Sequence, residues 1–279
     1  MKLFLLFLTF LTAATATAQT LPGLTIRGHT FAYDAPDGPV SGILRLPEGE
    51  GPFPAVLISH GKGGTASSFS LQHANTLVSW GIACIGPSYT HEGRSSNPPD
   101  NEGYCPENSR RAVRAMEVLA ATPGVDMKRV ALFGHSMGAF LSAGLAGEFP
   151  GKFKAVCLSA GGTSGTDRTG LASPAINEVG GITAPVLMFH GTADRTVLPA
   201  QSANLAEILT QNRIPHRRIL YPDLGHDIIS PGQKRGDIHA IMRAWFTEHG
   251  VLTAPAPAAP AVESAVRPSA GPASPPGHQ

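Results

Sequence analysis

A serine framed by glycines, then an aspartate, then a histidine carry the chemistry of this sequence. Gly134-His135-Ser136-Met137-Gly138 follows the apolar run Arg129-Val130-Ala131-Leu132-Phe133 and precedes the helix-like Ala139-Phe140-Leu141-Ser142-Ala143. This is G-x-S-x-G between a predicted strand and a predicted helix, the setting in which a strained turn lifts a serine hydroxyl above a sheet. A serine hydroxyl is a poor nucleophile until a base removes its proton, so a histidine and an orienting acid are expected downstream. The run Pro185-Val186-Leu187-Met188-Phe189-His190 leads into Gly191-Thr192-Ala193-Asp194, and His216-Arg217-Arg218-Ile219-Leu220-Tyr221 leads into Pro222-Asp223-Leu224-Gly225-His226. Ser136 as nucleophile, Asp194 as acid and His226 as base each lie just past a predicted strand, where the loops of an open α/β sheet form a site. Asp223 and Asp227 compete for the acid role by closeness in sequence to His226. An ordinary serine capping the next helix is the alternative for Ser136.

The chemistry also needs donors for a developing oxyanion. The backbone N–H of Met137, directly after the nucleophile, is one. A second is expected after the apolar strand Ala55-Val56-Leu57-Ile58-Ser59, where the chain continues His60-Gly61-Lys62-Gly63-Gly64.

Residues 25 to 248 resemble an α/β-hydrolase, and within that superfamily the small serine esterases of the dienelactone-hydrolase-like group. The resemblance rests on His60-Gly61-Lys62-Gly63-Gly64, Gly134-His135-Ser136-Met137-Gly138, His190-Gly191-Thr192-Ala193-Asp194 and Gly225-His226. It implies that the second oxyanion donor is the backbone N–H of Lys62, whose side chain is read as solvated. Dienelactone hydrolases proper use a cysteine nucleophile, whereas Ser136 stands here, so the resemblance implies the fold and not dienelactone as substrate. His135 and His190 are expected to be structural, and His60 to order the oxyanion loop. Asp126 reads as a turn residue.

The elements around these residues alternate. Thr25 to Tyr33 and Val40 to Leu46 predict an opening hairpin, followed by strands near 55–59, 82–86, 129–133, 155–159, 185–190 and 216–221. Helices are predicted over 66–80, 107–121, 137–148, 201–212 and 234–248. This order predicts a mostly parallel twisted sheet with helices on both faces. Between Gly161 and Thr183 only Pro174 to Val179 looks helical, which leaves no room for a large cap domain. An open cleft favours short-chain or exposed acyl groups. The loop Tyr89 to Tyr104, with His91, Glu92, Arg94, Pro98 and Pro99, is read as the cleft's other wall, its polar residues either contacting substrate or simply solvated.

Composition narrows the partners. The net charge is +1 with no basic stripe, so nucleic acid is not an expected partner. None of the eleven histidines falls in a short metal-ligand spacing, and neither metal nor cofactor is implied. Mean hydropathy of +0.02 and the absence of a second long apolar run argue for a soluble enzyme without a membrane span. Of three cysteines, Cys84 and Cys157 fall in apolar strands and Cys105 in a loop, and no pairing follows from spacing.

The ends read differently. Residues 1–18 have a charged start, a short apolar core and Ala16-Thr17-Ala18, the features of a secretory leader cleaved after Ala18 or, alternatively, Ala16. Residues 19–252 form the catalytic domain, and 253–279, rich in Ala and Pro, a tail with too little apolar surface to fold. The expectation is a secreted or periplasmic serine hydrolase acting on a small-molecule or polymer-borne carboxylic ester, its oligomeric state open. A prolyl-oligopeptidase-like peptidase and a non-catalytic binding protein of the same fold are the alternatives, and the triad chemistry also admits thioesters and amides.

Overall fold

A computed structural model describes residues 23–93, 101–165 and 172–253. The predicted leader, all of the predicted tail beyond Thr253, and Arg94 of the 89–104 loop lie outside these residues.

The described residues form one nine-stranded sheet. Its strands are β1 (Thr25–Arg27), β2 (Thr30–Ala35), β3 (Gly38–Arg45), β4 (Phe53–Ser59), β5 (Ala83–Pro87), β6 (Val125–His135), β7 (Ala155–Ser159), β8 (Val186–Gly191) and β9 (His216–Tyr221). Their spatial order is β1-β2-β3-β5-β4-β6-β7-β8-β9. The first three strands and the β3–β5 pair are antiparallel, and every pairing from β5 through β9 is parallel. The expected opening hairpin is thus three strands. Gly28 takes φ +58°, a left-handed turn that splits the run Thr25 to Tyr33 in two.

The parallel strands β5, β7 and β8 are buried at every position, as strands covered on both faces must be. Alternation along them divides the core. Leu57, Leu132, Val156 and Met188 face α2 (Pro106–Ala121), α3 (Met137–Glu148) and α5 (Pro199–Gln211). Val56, Phe133, Cys157 and Phe189 face α1 (Leu71–Val78) and α6 (Arg235–Glu248). Helices therefore cover both faces, as the β–α alternation predicts. Between β7 and β8 the described residues carry one further helix, the four-residue α4 (Ile176–Val179). No described helix is long and apolar enough to cross a membrane.

Two local readings change. The helix predicted over 66–80 begins as a π-helical turn, Ala66–Ser70, before becoming α1. Asp126 lies within β6, although at an irregular stretch. The register slips between the Phe53–Val125 and Ala55–Val130 pairs, and the Asp126 carboxylate accepts the Lys128 N–H there at 2.9 Å. All three cysteines are buried free thiols, and Cys105 lies directly before α2.

Candidate active site

Ser136 joins β6 to α3 with φ 54° and ψ −121°, a backbone conformation sparsely populated for any residue with a Cβ. The turn closes only because its neighbours lack side chains. A Cβ at Gly134 would lie 2.1 Å from the Gly138 carbonyl oxygen, and one at Gly138 would lie 2.0 Å from that of Ser59. The Ser136 N–H donates to the Ser159 carbonyl at 2.9 Å, so β7 anchors the turn from the other side.

The ends of β8 and β9 bring the other two groups to this serine. His226 Nε2 lies 2.9 Å from Ser136 Oγ, and its Nδ1 lies 2.8 Å from Asp194 Oδ2. Asp194 is buried, and its Oδ1 accepts the Thr196 and Val197 N–H groups at 2.9 Å each. The β8 and β9 loops are tied together. Thr192 and Ala193 donate to the Tyr221 and Leu224 carbonyls, and the Asp223 N–H donates to Thr192 Oγ1. Asp223 and Asp227 are exposed, and among the described residues neither bonds His226. The structure thus brings Ser136, Asp194 and His226 together and leaves the competing acids apart. Such a chain can move a proton from the hydroxyl to the imidazole while the carboxylate stabilises the cation formed.

The other histidines near the site are held neutral. Burial, and then the neighbouring His226, pushes His135 down to about 3; its Nδ1 sits 3.2 Å from Ser159 Oγ and its ring 5.1 Å from that of His226. Burial also lowers His190, whose Nε2–H donates to the Val197 carbonyl at 2.9 Å. The same nitrogen lies 3.3 Å from Asp194 Oδ2, a polar contact and not a charge pair, because the imidazole is neutral. His60 is lowered by burial, and its Nδ1 reaches the Gly61 carbonyl at 3.1 Å.

Met137 opens α3, where the first N–H groups have no intrahelical acceptor and the helix dipole favours negative charge. Among the described residues, neither the Met137 nor the Lys62 N–H makes a backbone hydrogen bond outside helix and strand ladders. The strand-end loop carrying Lys62 packs onto the serine: a Cβ at Gly61 would sit 3.0 Å from that of Ser136. The Lys62 side chain is not simply solvated. Its ammonium lies 2.7 Å from the carboxylate of Glu102, a residue 3 % exposed.

A cavity of about 380 Å³ opens over these groups, lined by Gly61 to Gly64, Ser136 and His226, with Phe69, Gln72, Ile229 and Arg235 as walls. No described residue of the 89–104 loop lines it, and 94–100 of that loop lie outside the described residues. Tyr89 and His91 lie buried against the His60 end of the loop that follows β4. The sequence reading also missed Arg235, whose guanidinium donates to the Ile229 carbonyl and to Gln72 Oε1. It missed the buried pair His73 Nδ1 and His239 Nε2, 2.8 Å apart. Both groupings join segments more than 150 residues apart by fold alone, with no local motif to signal them.

Comparison with known proteins places this geometry in context. The model of the dienelactone hydrolase family matches residues 40–252. Esterase FrsA of Klebsiella pneumoniae is 34 % identical over 143 residues, 50 % of this chain and 33 % of that protein. Esterase FrsA of Escherichia coli O157:H7 shows the same identity over the same span. The chain therefore spans about a third of the length of these curated relatives. Among solved structures, a Thermogutta terrifontis esterase with butyrate bound aligns with TM-score 0.65 at 17 % identity, covering 83 % of this chain and 96 % of that one. Pyrococcus horikoshii acylaminoacyl peptidase aligns with TM-score 0.67 at 16 % identity, covering 84 % of this chain and 43 % of that one.

Proposed function

Because the chain belongs to the dienelactone hydrolase family, we propose that it is a secreted serine hydrolase that cleaves carboxylic esters through an acyl-enzyme. The observation that carries this reading is the unbroken chain from Ser136 Oγ through His226, at 2.9 Å and 2.8 Å, to Asp194. Ser136 attacks the acyl carbon as His226 Nε2 takes its proton. Asp194 keeps the proton on His226 Nδ1 and stabilises the imidazolium. The N–H groups of Lys62 and Met137 receive the oxyanion. His226 then protonates the leaving alcohol, and in the second half-reaction it activates the water that releases the acid.

Esters of short or exposed acyl groups suit the site best. Its cavity, about 380 Å³, lies toward the small end of the roughly 300–1,000 Å³ usual for small-molecule pockets. The four residues of α4 are the described helical cover after β7. Relatives named as esterases support the same reading.

The test is hydrolysis of p-nitrophenyl acetate, butyrate and octanoate by the exported form, whose first residue should be Gln19, with Ser136→Ala as control. Turnover is expected to fall from acetate or butyrate to octanoate and to vanish in the variant. Cleavage of peptide p-nitroanilides in preference to every ester would move the assignment to a peptidase. An exported chain that still begins at Met1 would refute the leader.

A further inference from the structure

Tyr89 to Gly93, at the start of the 89–104 segment, pack against the loop that follows β4. We propose that His91 is a positioning residue which holds the His60–Gly61–Lys62 segment in register with the nucleophile, a role that rests on the ester-hydrolase reading above.

His91 is fully buried behind that segment, one layer away from any substrate. Its Nε2 lies 2.9 Å from the His60 carbonyl oxygen, the acceptor of the peptide group that leads into Gly61. Its Nδ1 faces two donors, the Gly103 N–H at 3.2 Å and Asn108 Nδ2 at 3.3 Å. The backbone N–H of Gly103 at Nδ1 leaves one consistent tautomer: the proton is on Nε2 and is donated to the His60 carbonyl. Burial, and then the adjacent His60, hold the ring neutral, with its titration pushed down to about 3.

Neighbouring contacts reinforce this one. The Tyr89 N–H donates to His60 Nε2 at 3.3 Å, the Gly63 N–H donates to the Gly93 carbonyl at 2.8 Å, and the Gly93 N–H donates to the Gly64 carbonyl at 2.9 Å. Asn108 accepts the Thr90 N–H at 2.9 Å and donates to the Gly103 carbonyl at 3.0 Å, which ties the splint to α2. Glu102 draws in the Lys62 ammonium at 2.7 Å. The residue proposed to bear the oxyanion donor is thereby fixed at its peptide through His60 and Gly63, and at its side chain through Glu102. Orientation of this kind matters because a donor displaced by about 1 Å can cost roughly 10²-fold in rate.

The two ring nitrogens can be tested separately. His91→Gln places an amide N–H near the Nε2 position and keeps the donor to His60. His91→Asn places its amide near Nδ1 and cannot reach His60. A trifluoromethyl ketone adds to the serine as a tetrahedral hemiketal whose oxyanion needs the same donors, and fluorine NMR reads the adduct without a known natural ester.

We expect His91→Asn to lower both kcat for p-nitrophenyl butyrate and ketone affinity about 10²-fold with KM unchanged. His91→Gln should retain both while losing some thermal stability with the ring's stacking on Tyr89. An Asn variant that keeps wild-type kcat and ketone affinity overturns the proposal. So do Asn and Gln variants that lose stability and activity in equal measure. Should His91→Asn not fold, His91→Met carries the test, because it fills the site without a donor to His60, and an unchanged kcat and ketone affinity there refute the proposal. A wild-type protein that forms no Ser136-dependent adduct defeats the hydrolase reading itself, whereas an adduct insensitive to these substitutions defeats only the role of His91.

Discussion

Replacing Asp194 by asparagine keeps the shape of the site and removes one property, the ability to accept on both oxygens. In the structure Oδ1 receives the Thr196 and Val197 N–H groups, and Oδ2 receives the His226 Nδ1–H at 2.8 Å. An asparagine has one acceptor and one donor end. Turning the amide to satisfy two buried backbone N–H groups is favoured over leaving both unpaired, at about 1–3 kcal/mol each. Its NH₂ then faces His226 Nδ1. That nitrogen must lose its proton to accept, so the proton moves to Nε2, which now donates to Ser136 Oγ instead of accepting from it. The base is present in the wrong tautomer. Loss of this function in a Ser-His-Asp site drops kcat about 10⁴-fold, or roughly 5 kcal/mol of transition-state stabilisation. The fold should lose only about 1–3 kcal/mol, because the backbone pair is kept. The assay is kcat on p-nitrophenyl butyrate beside urea-monitored stability, with Asp223→Asn and Asp227→Asn in parallel. An Asp194→Asn enzyme within about tenfold of wild type (about 1.4 kcal/mol) would refute the reasoning. Collapse of activity in Asp223→Asn with the fold intact would refute it as well.

Gly138→Ala should destabilise by about 3 kcal/mol or more, because the added Cβ meets backbone oxygens of Ser59 and His60 at 2.0 and 2.6 Å and no flexible side chain can yield. A melting temperature within error of wild type would show that the strand end gives way instead. Acid should unfold the protein early. Burial holds His91 and His135 at about 3, His239 at about 4 and His73 well below its ordinary value, while all four titrate near about 6.5 when unfolded. The unfolded chain therefore binds protons that the folded chain does not. Their contribution is complete above about pH 6.5 and falls by about 1.4 kcal/mol per histidine per pH unit as the pH drops toward 4. Urea melts at half-unit steps from pH 7 to 4.5 measure the slope, and a flat profile contradicts the neutral assignment.

What could be read from the chain and what could not follow from where the information lies. The serine turn is local: Gly134 and Gly138 are needed because backbone on either side approaches within van der Waals contact, and that need is written two residues from Ser136. The buried strands announce themselves as unbroken apolar runs, and helices between them force a parallel sheet. Gly28 alone splits the first run, and a single glycine in an alternating pattern does not signal this, being compatible with either a bulge or a turn.

The support of the site is non-local in a different sense. Lys62 and Glu102 are 40 residues apart, His91 and His60 31 apart, and His73 and His239 166 apart, and none of these partners shares a motif. A lysine in a glycine-rich loop reads as solvated because most are, and a loop with histidine, glutamate and arginine reads as a polar wall for the same reason. Only once the sheet order sets β5 beside β4 does the segment leaving β5 lie against the loop leaving β4. The tautomer argument at His91 depends on that adjacency and on nothing nearer in sequence. The serine turn was therefore legible where one turn of chain builds it, and its surroundings illegible where the sheet's topology must first bring a second segment behind the first. Residues that position the proposed site are therefore expected at the crossing of adjacent strand ends and not in the motifs themselves.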